Sequence, residues 1–152
     1  MNIEKTQNMT LVTELTSATA SEIEAMDALM HELSSASYCS EEKLKAVLGD
    51  SGSHIYVIKD GGNIVATASL CVFHTPEFTL GAVEAVVVSA GHRGKGYGRA
   101  LMEHIINESR RFGCDKLHLT SNPRREAANR LYQDLGFRKY ETNYYCCQIK
   151  PF

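Results

Sequence analysis

Val83-Glu84-Ala85-Val86-Val87-Val88-Ser89-Ala90-Gly91-His92-Arg93-Gly94-Lys95-Gly96-Tyr97-Gly98-Arg99-Ala100-Leu101-Met102 passes from a valine-rich run, through four glycines, into an amphipathic pattern. The valines predict a strand over residues 80–88, because β-branched side chains fill a pleated surface. Residues 97–112 place Leu101, Met102, Ile105, Ile106 and Phe112 on one helical face, and Gly113 ends that helix. A strand that runs through glycines into a helix leaves unpaired backbone N–H groups at the positive end of the helix dipole, which is a seat for phosphate. Arg93, Lys95 and Arg99 add full charges, and the glycines let the backbone approach an anion closely.

Two familiar phosphate loops do not fit. A Walker loop needs Ser or Thr after Gly-Lys, and Gly96 follows Lys95 here. The dinucleotide fingerprint G-x-G-x-x-G counted from Gly94 ends on Arg99, and from Gly96 on Leu101. A nucleotide-binding protein of either type is therefore disfavoured.

Outward from this stretch, the pattern predicts β-α-α-β-β-β-α-β-α-β-β. A first strand is expected over residues 10–15. Ser21 and Glu24 form a capping-box signature before a helix carrying Ile23, Met26, Met30 and Leu33. Ser40, with Glu41 and Glu42 behind it, opens a second short helix carrying Leu44, Val47 and Leu48. Apolar runs at 55–58 and 64–73 flank Asp60-Gly61-Gly62-Asn63, residues that tolerate positive φ and predict a hairpin. After a short strand at 116–120, Asn122 is the expected N-cap of a last helix with Pro123 at its first position. Ala128, Leu131 and Leu135 form its apolar stripe, Gly136 closes it, and residues 137–140 and 143–149 read as two final strands.

Arg93-Gly94-Lys95-Gly96-Tyr97-Gly98 resembles the R/Q-x-x-G-x-G/A signature of the GNAT superfamily of N-acetyltransferases. Ser121-Asn122-Pro123-Arg124-Arg125-Glu126-Ala127-Ala128-Asn129-Arg130-Leu131-Tyr132-Gln133-Asp134-Leu135-Gly136-Phe137 is similar to that superfamily's second motif. The resemblance is close over residues 80–140. It implies an α/β (α+β) fold: a mixed, mostly antiparallel sheet of about seven strands with about four helices. It also implies acetyl-coenzyme A as co-substrate, without a metal. By resemblance, the amides of Arg93, Gly94, Lys95, Gly96, Tyr97, Gly98 and Arg99 hold the diphosphate. Val86, Val87 and Val88 run beside the pantetheine arm, and Asn129 lies near that arm or its diphosphate. Asn122 is a candidate for the cofactor too, although on their own Asn122 reads as a helix cap and Asn129 as a polar helix residue. Ser89-Ala90-Gly91 stands where many members carry an acidic residue and proline, which implies a looser turn.

Two residues are candidates for the chemistry. Glu84 interrupts an apolar central strand, where an unpaired buried carboxylate is expensive. Unless the strand splays toward solvent there, the residue needs a reason. By resemblance it is the general base that frees an acceptor amine of its proton, directly or through water. Tyr132 sits beside the apolar stripe of the last helix and on its own reads as packing. By resemblance it is the acid that protonates the departing thiolate. A strand N–H is the expected oxyanion donor. The cysteines Cys114, Cys146 and Cys147 have no histidine base beside them in sequence, so transfer through an acyl-cysteine is not expected. The acceptor site is implied to involve His31, Glu32, Tyr38, His74 and Glu77, a mildly acidic and aromatic set suited to a small cationic amine.

Bulk properties bound the alternatives. A 152-residue chain with 43% hydrophobic and 22% charged residues suits one globular domain, expected over residues 9–152 behind a disordered start at 1–8. A net charge of −2 supplies no field for nucleic acid, and no apolar run is long enough for a membrane span or leader. Five scattered cysteines without a zinc spacing fit a reducing cytoplasm and no metal site. Asn143-Tyr144-Tyr145-Cys146-Cys147-Gln148-Ile149 is apolar on both faces, which predicts an edge that pairs with a second copy in a homodimer. The expected function is transfer of acetyl from acetyl-coenzyme A to a small-molecule primary amine within a ternary complex. A protein N-terminus or lysine as acceptor, and a non-catalytic acyl-coenzyme A-binding module, are the alternatives.

Overall fold

The structure is a computed structural model that describes residues 9–151. The expectation for residues 1–8 falls outside the described residues. Five strands form one sheet in the order β1-β2-β3-β4-β5: β1 (Thr13–Glu14), β2 (Ser53–Asp60), β3 (Asn63–His74), β4 (Thr79–Val88) and β5 (Lys116–His118). The first four are antiparallel to their neighbours, and β5 is parallel to β4. That parallel pair demands a crossover, supplied by α3 (Tyr97–Arg111). The other helices are α1 (Ala20–Leu33), α2 (Glu41–Leu48) and α4 (Glu126–Asp134).

The alternation of side chains along the strands divides the interior in two. Tyr56, Leu70 and Val83 pack with Leu101, Met102 and Ile105 of α3 and Tyr132 of α4. Ile55, Val57, Ile64 and Val87 face the opposite way, onto Met26 and Leu29 of α1 and Leu44 of α2. The β2–β3 hairpin turns as expected: Asp60 pairs with Asn63, and Gly61 and Gly62 hold φ of 57° and 84°.

Several expectations need correction. Among the described residues the sheet has five strands, not about seven. Residues 138–149 carry no strand, and Tyr140, Tyr144, Tyr145 and Ile149 are each at least three-quarters exposed. A strand needs a partner ladder as well as strand-forming residues, and nothing within the described chain pairs with this tail. The first strand is only two residues long. The capping box belongs to Thr19 and Glu22: Glu22 N–H donates to Thr19 Oγ1 (3.3 Å) and Thr19 N–H to Glu22 Oε2 (2.8 Å). Lys59 Nζ of β2 reaches the other Glu22 oxygen at 2.6 Å, so the sheet itself selects where α1 begins. The last helix starts at Glu126, and Asn122 instead holds the turn before it, accepting from Arg124 N–H at 2.9 Å. Phe112 is not inward; it lies at the end of α3, with its ring 4.3 Å from that of His54.

Candidate active site

The site begins with a fault in β4. Glu84 pairs with Ser69 and Val87 with Thr67, so Ala85 and Val86 together oppose one position of β3. Ala85 absorbs this bulge with φ of 52°, a left-handed conformation that costs a residue with a Cβ about 1–2 kcal/mol. Strain of this kind concentrates at functional sites. On its other edge β4 meets β5 only at Leu80, Gly81 and Ala82, against Lys116, Leu117 and His118. Past Ala82 the ladder between the two strands ends.

Glu84 and Tyr132 lie on opposite faces of the sheet. Val83 faces the α3–α4 core, so its neighbour Glu84 faces the α1–α2 side of the sheet. Glu84 is exposed, and the expense of a buried carboxylate does not arise. Tyr132 is 5% exposed within the α3–α4 core, its ring 6.1 Å from that of Phe137. Burial raises its phenol above the ordinary tyrosine range, and the Arg125 charge offsets part of the rise. The group stays protonated at neutral pH, as an acid must.

At the end of β4, a single 3-10 turn (Ala90–His92) leads into the glycine loop. Gly94 and Gly96 hold φ of 79° and 83°, and a Cβ on either would meet nothing within 4 Å. The glycines are there for conformation, and the space in front of them is open. Gly96 is the N-cap of α3 and offers no side-chain acceptor, and no acidic residue occupies the first turn. The leading N–H groups of α3 are thus available to an anion. Lys95 forms no ion pair among the described residues. Tyr97 stacks near His92, with ring centres 6.4 Å apart. Gly98 lies against Leu131 and Val88, joining α3 to α4 and β4.

Other residues expected at the cofactor are already engaged. Arg93 Nε donates to the Val88 carbonyl (3.2 Å), and its guanidinium lies 3.6 Å from Glu32. Arg99 reaches Asp134 at 3.4 Å and Glu103 at 3.7 Å. Asn129 Nδ2 donates to the Asn122 and Arg125 carbonyls, both at 2.9 Å, which fastens the turn before α4. Val87 is 5% exposed in the α1–α2 core, whereas Val86 and Val88 turn toward the α3–α4 side.

The structure does not gather the five expected acceptor residues. Glu32 accepts the Ala90 N–H at 2.9 Å and so belongs to the glycine loop. His31 Nδ1 stays on its own helix, 2.9 Å from the Asp27 carbonyl, and Tyr38 lies under Lys43 Nζ at 3.4 Å. His74 and Glu77 lie at the β3–β4 turn, where His74 Nδ1 meets Thr79 Oγ1 at 3.0 Å. At about 3.3 Å per residue β4 runs about 30 Å, with that turn at one end and Glu32 near the other. Sequence reasoning missed Ala85, whose strain has no glycine to announce it, and Arg125, whose Nη2 donates to the Val86 carbonyl at 3.2 Å. Among the described residues, no group of three or more His, Cys, Asp or Glu is placed to hold a metal ion, and no helix is long and apolar enough to cross a membrane.

A sequence model of the acetyltransferase (GNAT) family matches residues 20–137, from α1 to the end of the second motif. The glucosamine 6-phosphate N-acetyltransferase of Trypanosoma brucei brucei is 40% identical over 85 residues, 53% of this chain and 54% of that protein. N-acetyltransferase 8 of Rattus norvegicus is 30% identical over 97 residues, 62% of this chain and 44% of its own length. The chain therefore spans about half the length of the curated relatives it matches. A solved acetyltransferase from Trypanosoma brucei is 27% identical, with a TM-score of 0.75 over 91% of this chain and 99% of that one.

Proposed function

The chain belongs to the acetyltransferase (GNAT) family, and from that premise we propose that it moves the acetyl group of acetyl-coenzyme A to the primary amine of a small molecule. One observation carries the reading: β4, bulged at Ala85, carries Glu84 on one face of the sheet with Tyr132 packed on the other, and runs into a glycine loop at the uncapped N–H groups of α3. The likeness to a glucosamine 6-phosphate N-acetyltransferase supports a small-molecule acceptor.

In this mechanism both substrates are bound before reaction. The diphosphate lies at the loop from Arg93 to Arg99, and the arm follows Val86 and Val88. The acceptor arrives on the α1–α2 side as an ammonium, with a pKa of about 10 for a lysine-like amine. Glu84 takes one proton, directly or through water, and later releases it to solvent. The freed nitrogen attacks the thioester carbonyl, an N–H released by the bulge holds the oxyanion, and a C–N bond forms as the C–S bond breaks. The Tyr132 phenol protonates the sulfur and recovers a proton from the new amide nitrogen. Holding the two reactants together accounts for much of the rate.

The tail at 138–151 is read as the dimer contact, its exposed Tyr140, Tyr144, Tyr145 and Ile149 meeting a second copy. Thermal unfolding with acetyl-coenzyme A, ATP or NAD tests the reading. Acetyl-coenzyme A at about 100 times Kd adds roughly 2.7 kcal/mol, or several degrees at about 2–4 °C per kcal/mol. The other two ligands should add nothing. Thiol release with small amines but not peptides then fixes the acceptor class; acetylated peptides alone would replace it, and no shift with acetyl-coenzyme A would end the assignment.

A further inference from the structure

Past Ala82 the outer edge of β4 has no strand beside it among the described residues, so its backbone groups need other partners. Two arginines supply them. Arg93 Nε donates to the Val88 carbonyl and Arg125 Nη2 to the Val86 carbonyl, each at 3.2 Å. These carbonyls are two residues apart, the repeat at which an added strand, or any arm bearing secondary amides, would donate to a sheet edge. An arm joining a diphosphate at the head of α3 to a thioester between Glu84 and Tyr132 has to run along this edge. The arginines occupy the positions that its amides would take.

Arg93 has an alternative anion in a diphosphate at its own loop. Arg125 is different, because its backbone is fixed. Its N–H donates to the Asn122 carbonyl (3.0 Å), and its own carbonyl accepts from Asn129 N–H and Nδ2, both at 2.9 Å. Only the side chain is free to leave. We propose that Arg125 is a placeholder for a cofactor amide, its guanidinium holding the Val86 carbonyl until the pantetheine arm of acetyl-coenzyme A displaces it. The inference rests on the acetyl-transfer reading and adds a residue that sets the affinity for the arm. Displacing a hydrogen bond weakens binding, so Arg125 opposes the ligand.

Calorimetry with two probes tests this: acetyl-coenzyme A, and adenosine 3′-phosphate 5′-diphosphate, which lacks the arm. Arg125→Met should bind acetyl-coenzyme A about five-fold tighter, the equivalent of one net hydrogen bond no longer displaced. It should bind the armless nucleotide as the unaltered protein does. Arg125→Lys, which keeps a donor, should fall between the two. Weaker or unchanged binding of acetyl-coenzyme A by Arg125→Met overturns the proposal, as does a parallel change for both probes. If the methionine variant does not fold, nitrogen-15 spectra of the arginine side chains in the unaltered protein decide. One guanidinium, assigned by its loss in Arg125→Lys, should be restrained without ligand and released by acetyl-coenzyme A but not by the armless nucleotide; a signal that is mobile throughout, or unmoved by acetyl-coenzyme A, refutes the idea. Failure of the unaltered protein to bind either probe would instead remove the acetyl-transfer reading beneath it.

Discussion

The carboxylate of Glu32, at the end of α1, accepts the backbone N–H of Ala90 at 2.9 Å and lies 3.6 Å from the guanidinium of Arg93. A residue expected to meet the acceptor is thus a brace for the glycine loop. Glu32→Ala removes a charge-assisted hydrogen bond of about 1.5 kcal/mol, and at about 2–4 °C per kcal/mol the melting temperature should fall by several degrees. The KM for acetyl-coenzyme A should rise with kcat held within about two-fold, as for lost uniform binding. A KM effect confined to the amine would return Glu32 to the acceptor site.

Glu84 is exposed, so replacing it leaves no packing defect. Glu84→Gln should lower kcat at neutral pH by about 10²–10⁴, the range for general-base catalysis. The deficit should narrow as the pH approaches the amine's own pKa of about 10, where the nucleophile forms unaided. A pH-rate profile of both proteins checks this; parallel profiles would mean that Glu84 moves no proton.

Tyr132 is an acid only while protonated, and burial raises its phenol. The rate should therefore hold through about pH 10, the ordinary tyrosine value. Tyr132→Phe preserves the ring against Phe137 and should unfold at nearly the original temperature. Its kcat should drop by about 10²–10⁴, and the loss should be larger for thioesters of more basic thiols. An equal loss across thioesters would reduce Tyr132 to packing.

Tyr56 is 1% exposed, and its hydroxyl has no hydrogen-bond partner among the described residues. Burial first, and then Glu14 and Glu108, push this phenol well above its ordinary value. The folded state thus holds the proton more tightly than the unfolded state does. The stability this contributes is complete below about pH 10, the unfolded value, and is lost as pH rises toward the folded pKa. Tyr56→Phe should match or exceed the original melting temperature at pH 7, by up to about 1 kcal/mol, and should unfold less readily above pH 10. A clear loss at pH 7 would mean that the hydroxyl has a partner in solution.

Light scattering should return about twice the 16.8 kDa of one chain. Deleting residues 138–152 should leave a monomer that still binds acetyl-coenzyme A, since that tail lies beyond the family match. A full-length monomer would remove the dimer.

Elements governed by neighbours along the chain were legible before any coordinates. The Asp60-Gly61-Gly62-Asn63 hairpin, the apolar face of α3 and the glycine loop depend on dihedral preference and on the 3.6 period, both written locally. Boundaries that depend on remote partners were not. Lys59 in the sheet draws Glu22 into the capping box, so α1 begins at Ala20. Residues 143–149 have strand-like composition but no ladder to join.

The same division runs through the site. Glu84 and the loop from Arg93 to Arg99 could be singled out in sequence, because each departs from its surroundings in charge or glycine content, whereas Tyr132 was marked only by its place in a motif that resembles the family's. Their relation to one another could not. It depends in part on Ala85, an ordinary residue that the ladder on β3 holds at φ of 52° in the bulge between Glu84 and Val87. Side-chain destinations were equally hidden: Glu32 goes to Ala90 and Arg125 to Val86, 58 and 39 residues away in the chain. Local sequence sets which groups are present and which backbone conformations are accessible. Only packing over such separations decides which carbonyl or carboxylate each charged side chain meets.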